Sequence, residues 1–144
     1  MFKKSLVAVM LFVLLAVMAS TPVFATGEAT MSPEIAQGLT EIENVNAEIY
    51  AEIAKAQLEA QNMYDQYRNE YYAAKDAETK AALTAKYDEE VTALIHELDM
   101  KTREMTRIGV ENATAAGITV EIEWVPVQFP DRVALIDPMK VIDW

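Results

Sequence analysis

Apolar residues recur along residues 33–74 at alternating spacings of four and three, the pattern of a coiled-coil seam. Ser32-Pro33-Glu34 stands directly in front of this pattern and is typical of a helix start, with serine as the N-cap and proline in the first turn. We therefore predict a first long helix over about residues 33–75. Its seam consists of Ile35, Leu39, Ile42, Asn46, Ile49, Ile53, Ala56, Ala60, Met63 and Tyr67.

A second stripe keeps this spacing but is shifted in phase by about one residue, which indicates a break between the two helices. The break falls near Asp76-Ala77-Glu78, although neither glycine nor proline marks it. A second helix over about 78–116, closed by Gly117 or earlier by Gly109, then completes an antiparallel, coiled-coil-like hairpin. Its seam consists of Tyr87, Val91, Leu94, Leu98, Lys101, Met105, Ile108 and Asn112. Folding at residue 77 pairs Tyr67 with Tyr87, Met63 with Val91, Ala60 with Leu94, Ala56 with Leu98 and Ile49 with Met105.

Two polar residues, Asn46 and Lys101, occupy seam positions that are otherwise apolar. A polar residue in a seam fixes register or partner number, so both are candidate register-setting residues. The alternative is that a two-helix seam, half open to water, simply tolerates them. Lys101 falls beside Glu52 when the hairpin is closed, and this glutamate is the expected neutralising partner.

After Gly117 the hydrophobic period changes from helical to alternating, which predicts a small β tail over residues 117–144. Residues 118–124 read as a half-buried strand, and Pro126 marks an edge or a bulge. Pro130-Asp131-Arg132 is a hairpin turn between two further apolar runs, and residues 139–144 are a last short strand. The fold class is therefore mainly α with a C-terminal β-hairpin or meander. Because a tail of this size cannot form a core of its own, it must pack on the helices, pair with another chain or dock on a partner.

Residues 1–25 have the features of a secretory signal peptide. Lys3 and Lys4 precede an apolar run of signal-peptide length, and Val23-Phe24-Ala25 provides small residues for cleavage. The run is shorter than the roughly 20 residues that a membrane span needs. We expect a mature chain that starts at Thr26, has a flexible segment over 26–32, lacks a membrane span and works in the cell envelope or outside a bacterial cell.

Composition excludes several classes of function. The formal charge of −11, or −13 without Lys3 and Lys4, repels nucleic acid and anionic membranes. The mature chain has one serine, Ser32, one histidine, His96, and no cysteine, so a Ser–His or Cys–His catalytic system and a transition-metal site are not expected. Glu121 and Glu123 are the best-placed carboxylate pair, but the hydrophobic pattern makes them a solvated strand face. We therefore predict no enzyme activity and no cofactor.

Aromatic residues supply the candidate binding sites. Tyrosine is enriched at recognition surfaces, because it combines apolar area with a hydroxyl group. The candidates at the hairpin tip are Tyr64, Tyr67, Tyr71, Tyr72 and Tyr87. The alternative is that these rings fill a wide end of the bundle. Trp144 is a further candidate, either as part of a strand added to a partner or as an anchor of the tail.

These patterns predict an exported, non-catalytic interaction or structural protein with an acidic helical hairpin. An isolated hairpin would leave apolar residues such as Ile42, Ile49 and Tyr50 in water, so we expect self-association or a protein partner. The alternatives are an extracytoplasmic chaperone or cargo holder, and a small carboxylate hydrolase of cell-wall polymers.

Overall fold

The structure is a computed structural model that describes residues 31–144. The predicted signal peptide and most of the segment 26–32 lie outside these residues. The described part contains two long helices, α1 (Pro33–Ala73) and α2 (Ala77–Ala115). Four strands follow, β1 (Thr119–Ile122), β2 (Val125–Gln128), β3 (Val133–Ile136) and β4 (Met139–Asp143). The predicted helical hairpin with a β tail is confirmed.

The helix boundaries have local causes. Ser32 caps α1 as predicted, because its hydroxyl accepts a hydrogen bond from the Ile35 N–H at 3.2 Å. Asp76 caps α2 and explains a break that has neither glycine nor proline. Its carboxylate accepts from the Thr79 N–H at 2.7 Å and from the Thr79 hydroxyl at 2.9 Å. Gly117 ends α2 at a φ of +79°, a conformation that glycine adopts without strain.

The two helices pack together in the predicted antiparallel arrangement. The Tyr67 and Tyr87 rings stack with centroids 4.8 Å apart, and Lys101 Nζ lies 2.8 Å from Glu52 Oε1. Both contacts agree with folding about residue 77. Ala56, Ala60, Val91 and Leu98 are all buried in the centre of this interface.

The predicted stripe is wrong for the last part of α2. Lys101, Ile108 and Asn112 are exposed, and the buried positions lie one residue further on. These positions are Thr102, Thr106, Gly109 and Ala113. The β tail packs against this face, with Met139 directly over Gly109. Since α2 continues to Ala115, Gly109 lies inside the helix and is not its cap. A Cβ atom at residue 109 would overlap the Met139 side chain.

The four strands form one long two-stranded ribbon with a break in the middle. β1 pairs with β4 and β2 with β3, both antiparallel. The register continues across the break, since Ile122 faces Met139 and Val125, three residues on, faces Ile136. The expected single strand over 118–124 therefore ends at Ile122, and both Ile122 and Trp124 are exposed rather than half-buried. At the far end the Phe129 N–H donates to the Arg132 carbonyl at 2.8 Å, which closes the predicted turn.

The ribbon covers the apolar face of the helices that was expected to be wet. Ile49 packs in one cluster with Val127, Phe129 and Ile136, and Ile42 packs in a second cluster with Ile118, Ala113 and Met139. Ile42 and Ile49 are buried, whereas Tyr50 remains 40% exposed. The tail thus completes the core within its own chain, and the wet hairpin gives no reason for association.

Candidate functional site

The five tip tyrosines lie together, as the sequence predicts. Tyr64 packs beside the stacked pair of Tyr67 and Tyr87, with its ring centroid 5.7 Å from that of Tyr87. Tyr71 contacts Tyr67 at 5.6 Å and Tyr72 at 5.8 Å. The rings therefore form a chain of contacts that runs from Tyr87, which is buried, to Tyr72, which is 71% exposed.

Basic side chains of the chain itself contact the outer tyrosine rings. The Arg68 guanidinium lies 5.7 Å from the Tyr64 centroid and 5.5 Å from that of Tyr72. The Lys80 ammonium lies 5.2 Å from the Tyr71 centroid. Since a cation over an aromatic face is itself a favourable contact, part of the tip's aromatic surface is already used within the chain.

The buried end of this cluster attaches the ribbon to the helices. The Tyr87 hydroxyl donates to Asp131 Oδ1 at 3.0 Å, and burial together with this bond raises the pKa of Tyr87. Arg132 Nη2 bonds Asp88 and Asp131, each at 2.8 Å, and its guanidinium also donates to the Thr92 hydroxyl. The Arg132 hydrogen bond lowers the pKa of Asp131. The β2–β3 turn is therefore fixed to α2 by charge-assisted bonds.

Asn46 bonds the β tail, a role that neither a register-setting residue nor a residue tolerated at a half-open seam would have. Its Nδ2 donates to the Met139 carbonyl at 2.7 Å, and its Oδ1 accepts from the Met139 N–H at 2.9 Å. The side-chain amide thus bonds both backbone groups of one strand residue, as a neighbouring strand would. Lys101 pairs with Glu52 as expected, and its hydrogen bond lowers the pKa of that carboxyl.

Two other helix side chains act on the ribbon backbone in the same way as Asn46. The Thr106 hydroxyl donates to the Asp137 carbonyl at 2.6 Å, and Gln57 Nε2 donates to the Gln128 carbonyl at 2.8 Å. We call Asn46, Gln57 and Thr106 the edge caps. In the sequence, Thr106 stands out only as a polar residue one position away from the predicted stripe. The sequence patterns therefore did not identify Thr106, and they did not identify Gln57.

A buried carboxylate lies next to the edge caps. Asp137 is only 4% exposed, and its Oδ1 accepts a long hydrogen bond of 3.4 Å from the Thr102 hydroxyl. Burial raises the pKa of Asp137. A cavity of about 340 Å³ opens beside it, between α2 and the kinked part of the ribbon. Arg107 at its rim is already bonded to Glu104 and Glu111, so the cavity offers little free positive charge.

The remaining sequence candidates lie apart from one another. Trp144 follows β4 at the end of the ribbon, and its N–H donates to Asp143 Oδ1 at 3.0 Å. Glu121 is exposed and faces Lys140 across the β1–β4 pair. His96 is exposed on α2. Within residues 31–144, no cluster of acidic residues or histidine is placed to hold a metal ion, and neither helix is long and apolar enough to cross a membrane.

Comparison with protein-family models, curated proteins and solved structures gave no match to this chain.

The outward side of the β2–β3 end of the ribbon is an apolar surface that the fold leaves open. In an antiparallel pair, directly opposite residues lie on the same face. Pro126 faces Leu135, and Gln128 faces Val133. These four residues form the outer ribbon face, because Val127 and Ala134 between them pack toward the helices. Val133 is 56% exposed and Leu135 is 54% exposed.

Proposed function

We propose that this chain is an exported, non-catalytic interaction protein that associates through the outer ribbon face. The observation that carries the proposal is the exposure of Val133 and Leu135 on a strand whose inner residues, half-buried Ala134 and buried Ile136, pack toward the helices. Exposed apolar residues that adjoin one another on a surface are typical of interaction sites. Self-association is the form of interaction that we favour.

The charge distribution supports the choice of the ribbon over the helices. The formal charge is −11, and α1 and α2 carry most of the acidic residues. The outer ribbon face carries no ionisable side chain, and basic side chains neutralise part of the negative charge elsewhere on and beside the ribbon. Arg132 is paired with Asp88 and Asp131, and Glu121 faces Lys140. Contact at this face therefore brings few like charges together.

The best-placed carboxylates give no support to hydrolysis. Glycosidase-type chemistry needs two carboxyl groups on opposite sides of a bound substrate. Glu121 and Glu123 are both exposed, and Glu121 faces a lysine on the neighbouring strand. A role in solvation of the ribbon fits these positions better.

Site-specific photo-crosslinking in cells that make the protein tests the proposal. A benzophenone side chain is placed at Val133, at Tyr72 in the tyrosine tip, and at Leu58 as the control. Leu58 is 66% exposed on α1 and lies outside both candidate surfaces. We expect a discrete crosslinked product from residue 133 only.

Each outcome of this experiment decides between surfaces. A product from residue 72 alone would overturn the ribbon proposal in favour of the tyrosine tip. Equal products from residues 133 and 58, or none from either, would contradict a specific ribbon site. Amino-terminal sequencing of the same protein tests export, with Thr26 as the expected first residue.

A further inference from the structure

The hydrogen-bonding phase of the ribbon shows which backbone groups face outward. In an antiparallel pair, residues that bond to the partner strand alternate with residues whose N–H and C=O point away from it. The Phe129 N–H bonds the Arg132 carbonyl, and the Glu123 N–H bonds the Pro138 carbonyl at 2.9 Å. Counting along the register from both bonds gives the same phase. Val133 and Leu135 of β3 then have outward-facing N–H and C=O groups.

The edge caps confirm this phase independently. Each of them bonds a residue that the alternation places outward, namely Gln128, Asp137 or Met139. Helix side chains therefore take the place of a third strand at these three positions. Such caps satisfy backbone groups that would otherwise offer a template for another chain.

At the β2–β3 end of the ribbon, the β3 edge lacks this protection. Among residues 31–144, no side chain caps the outward groups of Val133 or Leu135, and β3 contains neither lysine nor proline, which commonly blunt edge strands. On the opposite strand, the position facing Leu135 is Pro126, which has no N–H. The distal end of the ribbon therefore has one open edge and one edge that proline weakens.

We propose that two copies of this chain pair through their β3 edges, antiparallel about a two-fold axis at Ala134. This inference rests on the proposed function and names its partner. In that register Val133 of each copy lies opposite Leu135 of the other, and each such pair exchanges both backbone hydrogen bonds. Both open edges are satisfied by one contact, as the symmetry of an isologous dimer requires.

The side chains of β3 suit such a pairing. Val133 and Leu135 lie on the outer face of both copies, so each exposed valine meets an exposed leucine. Cross-strand pairs of this kind stabilise a sheet. Ala134, the residue nearest the axis, is small and packs toward the helices. β3 itself carries no charged side chain, and the flanking Asp131 is paired with Arg132 of its own chain.

The first test is the mass of residues 26–144 in solution, measured by light scattering over a series of concentrations. We expect a mass that rises to twice that of the monomer. Leu135→Pro removes one outward N–H and should therefore leave a monomer. Its far-UV circular dichroism should be unchanged, because the ribbon already accommodates Pro126 at the directly opposite position. Leu58→Ser removes a more exposed leucine from α1 and should leave the dimer intact.

The second test reads the register and does not depend on a proline variant. The chain has no cysteine, so Val133→Cys and Leu135→Cys each introduce a single thiol. Opposed residues of a hydrogen-bonded pair have Cα atoms about 5.5 Å apart, a separation that a disulfide spans. We expect a mixture of the two variants to form mainly the mixed disulfide on mild oxidation, well ahead of either variant with itself.

The outcomes separate this inference from the proposed function. A monomer at every concentration would overturn β3 pairing, whereas a photo-crosslink from residue 133 to a different protein would still support an interaction site. A dimer that survives Leu135→Pro would place self-association on another surface, and 133–133 disulfides that form first would overturn the proposed register.

Discussion

The hairpin and the ribbon are held by different kinds of contact. α1 and α2 meet through side chains alone, such as Ala60, Val91 and Leu98, and through one exposed ion pair between Glu52 and Lys101. The ribbon adds bonds from helix side chains to its backbone, made by the edge caps. A two-stranded ribbon is marginal by itself, because both of its edges lack a neighbour. The helices therefore stabilise the ribbon in two ways. They provide an apolar surface for its inner side chains, and their polar side chains bond its backbone where a neighbouring strand would.

The largest expected effect comes from removing a buried apolar contact between the ribbon and the helices. Phe129→Ala should lower the free energy of unfolding by about 3–5 kcal/mol, because a buried aromatic ring is replaced by a cavity. Both tryptophans, Trp124 and Trp144, lie in the C-terminal tail, so their fluorescence follows the ribbon while circular dichroism at 222 nm follows the helices. In urea denaturation of residues 26–144, both signals should shift together.

The control for this change is Ile142→Ala, which shortens an exposed side chain of the same ribbon outside the proposed pairing edge. It should alter the free energy of unfolding by no more than about 0.5 kcal/mol. If Phe129→Ala shifts the fluorescence transition but not the helical one, the ribbon unfolds separately and does not share one core with the hairpin.

The difference between the regions also explains what the sequence allowed us to predict. The hairpin follows from heptad spacing, which fixed the contacts of Tyr67 with Tyr87 and of Lys101 with Glu52. The strands and the turn at Pro130-Asp131 follow from alternation and turn residues. The position of the ribbon on the helices did not follow, because it depends on contacts between residues far apart in sequence.

The shifted stripe on α2 shows this limit most directly. Thr102, Thr106 and Gly109 are poor candidates for a hydrophobic seam, whereas their apolar neighbours Met105 and Ile108 fit the heptad spacing. Small and hydroxyl-bearing residues are buried there because the ribbon backbone approaches α2 closely and needs a hydrogen-bond donor. A stripe of such residues beside an apolar stripe is the signal that would have revealed the contact.

A smaller effect is expected from removing one edge cap. Asn46→Ala leaves both the N–H and the C=O of Met139 without their partner, and Met139 is buried. Unsatisfied buried polar groups cost about 1–3 kcal/mol, so the free energy of unfolding should fall by that amount. Hydrogen exchange of the Met139 amide should also accelerate.

Gln57→Ala is the matched comparison for this prediction. It removes a cap of the same chemistry whose bond to Gln128 is exposed to water. Water replaces such a partner, so the loss should stay below about 1 kcal/mol. Equal losses in the two variants would mean that Asn46 acts through general helix packing and not as a substitute for a strand.

The smallest expected effect concerns two aspartates, one from each region, whose contributions change with pH in opposite directions. Hydrogen bonds from Thr79 lower the pKa of Asp76 in the hairpin, whereas burial raises the pKa of Asp137 in the ribbon. A carboxyl with a lowered pKa stabilises the fold above its unfolded pKa, and this contribution is lost as the pH falls through the folded value. A carboxyl with a raised pKa does the reverse, because the folded state then binds the proton more tightly. As the pH rises from the unfolded pKa through the folded one, Asp137 therefore lowers stability.

Asparagine keeps a capping oxygen at residue 76 and the shape of the side chain at residue 137. Between acidic and neutral pH, the stability of Asp76→Asn relative to the unaltered chain should fall as the pH rises, and that of Asp137→Asn should increase. Melting temperatures of the three proteins across that range measure both trends. Parallel trends in the two variants would show that the overall negative charge sets the pH dependence, and that the local partners of the two carboxyls do not.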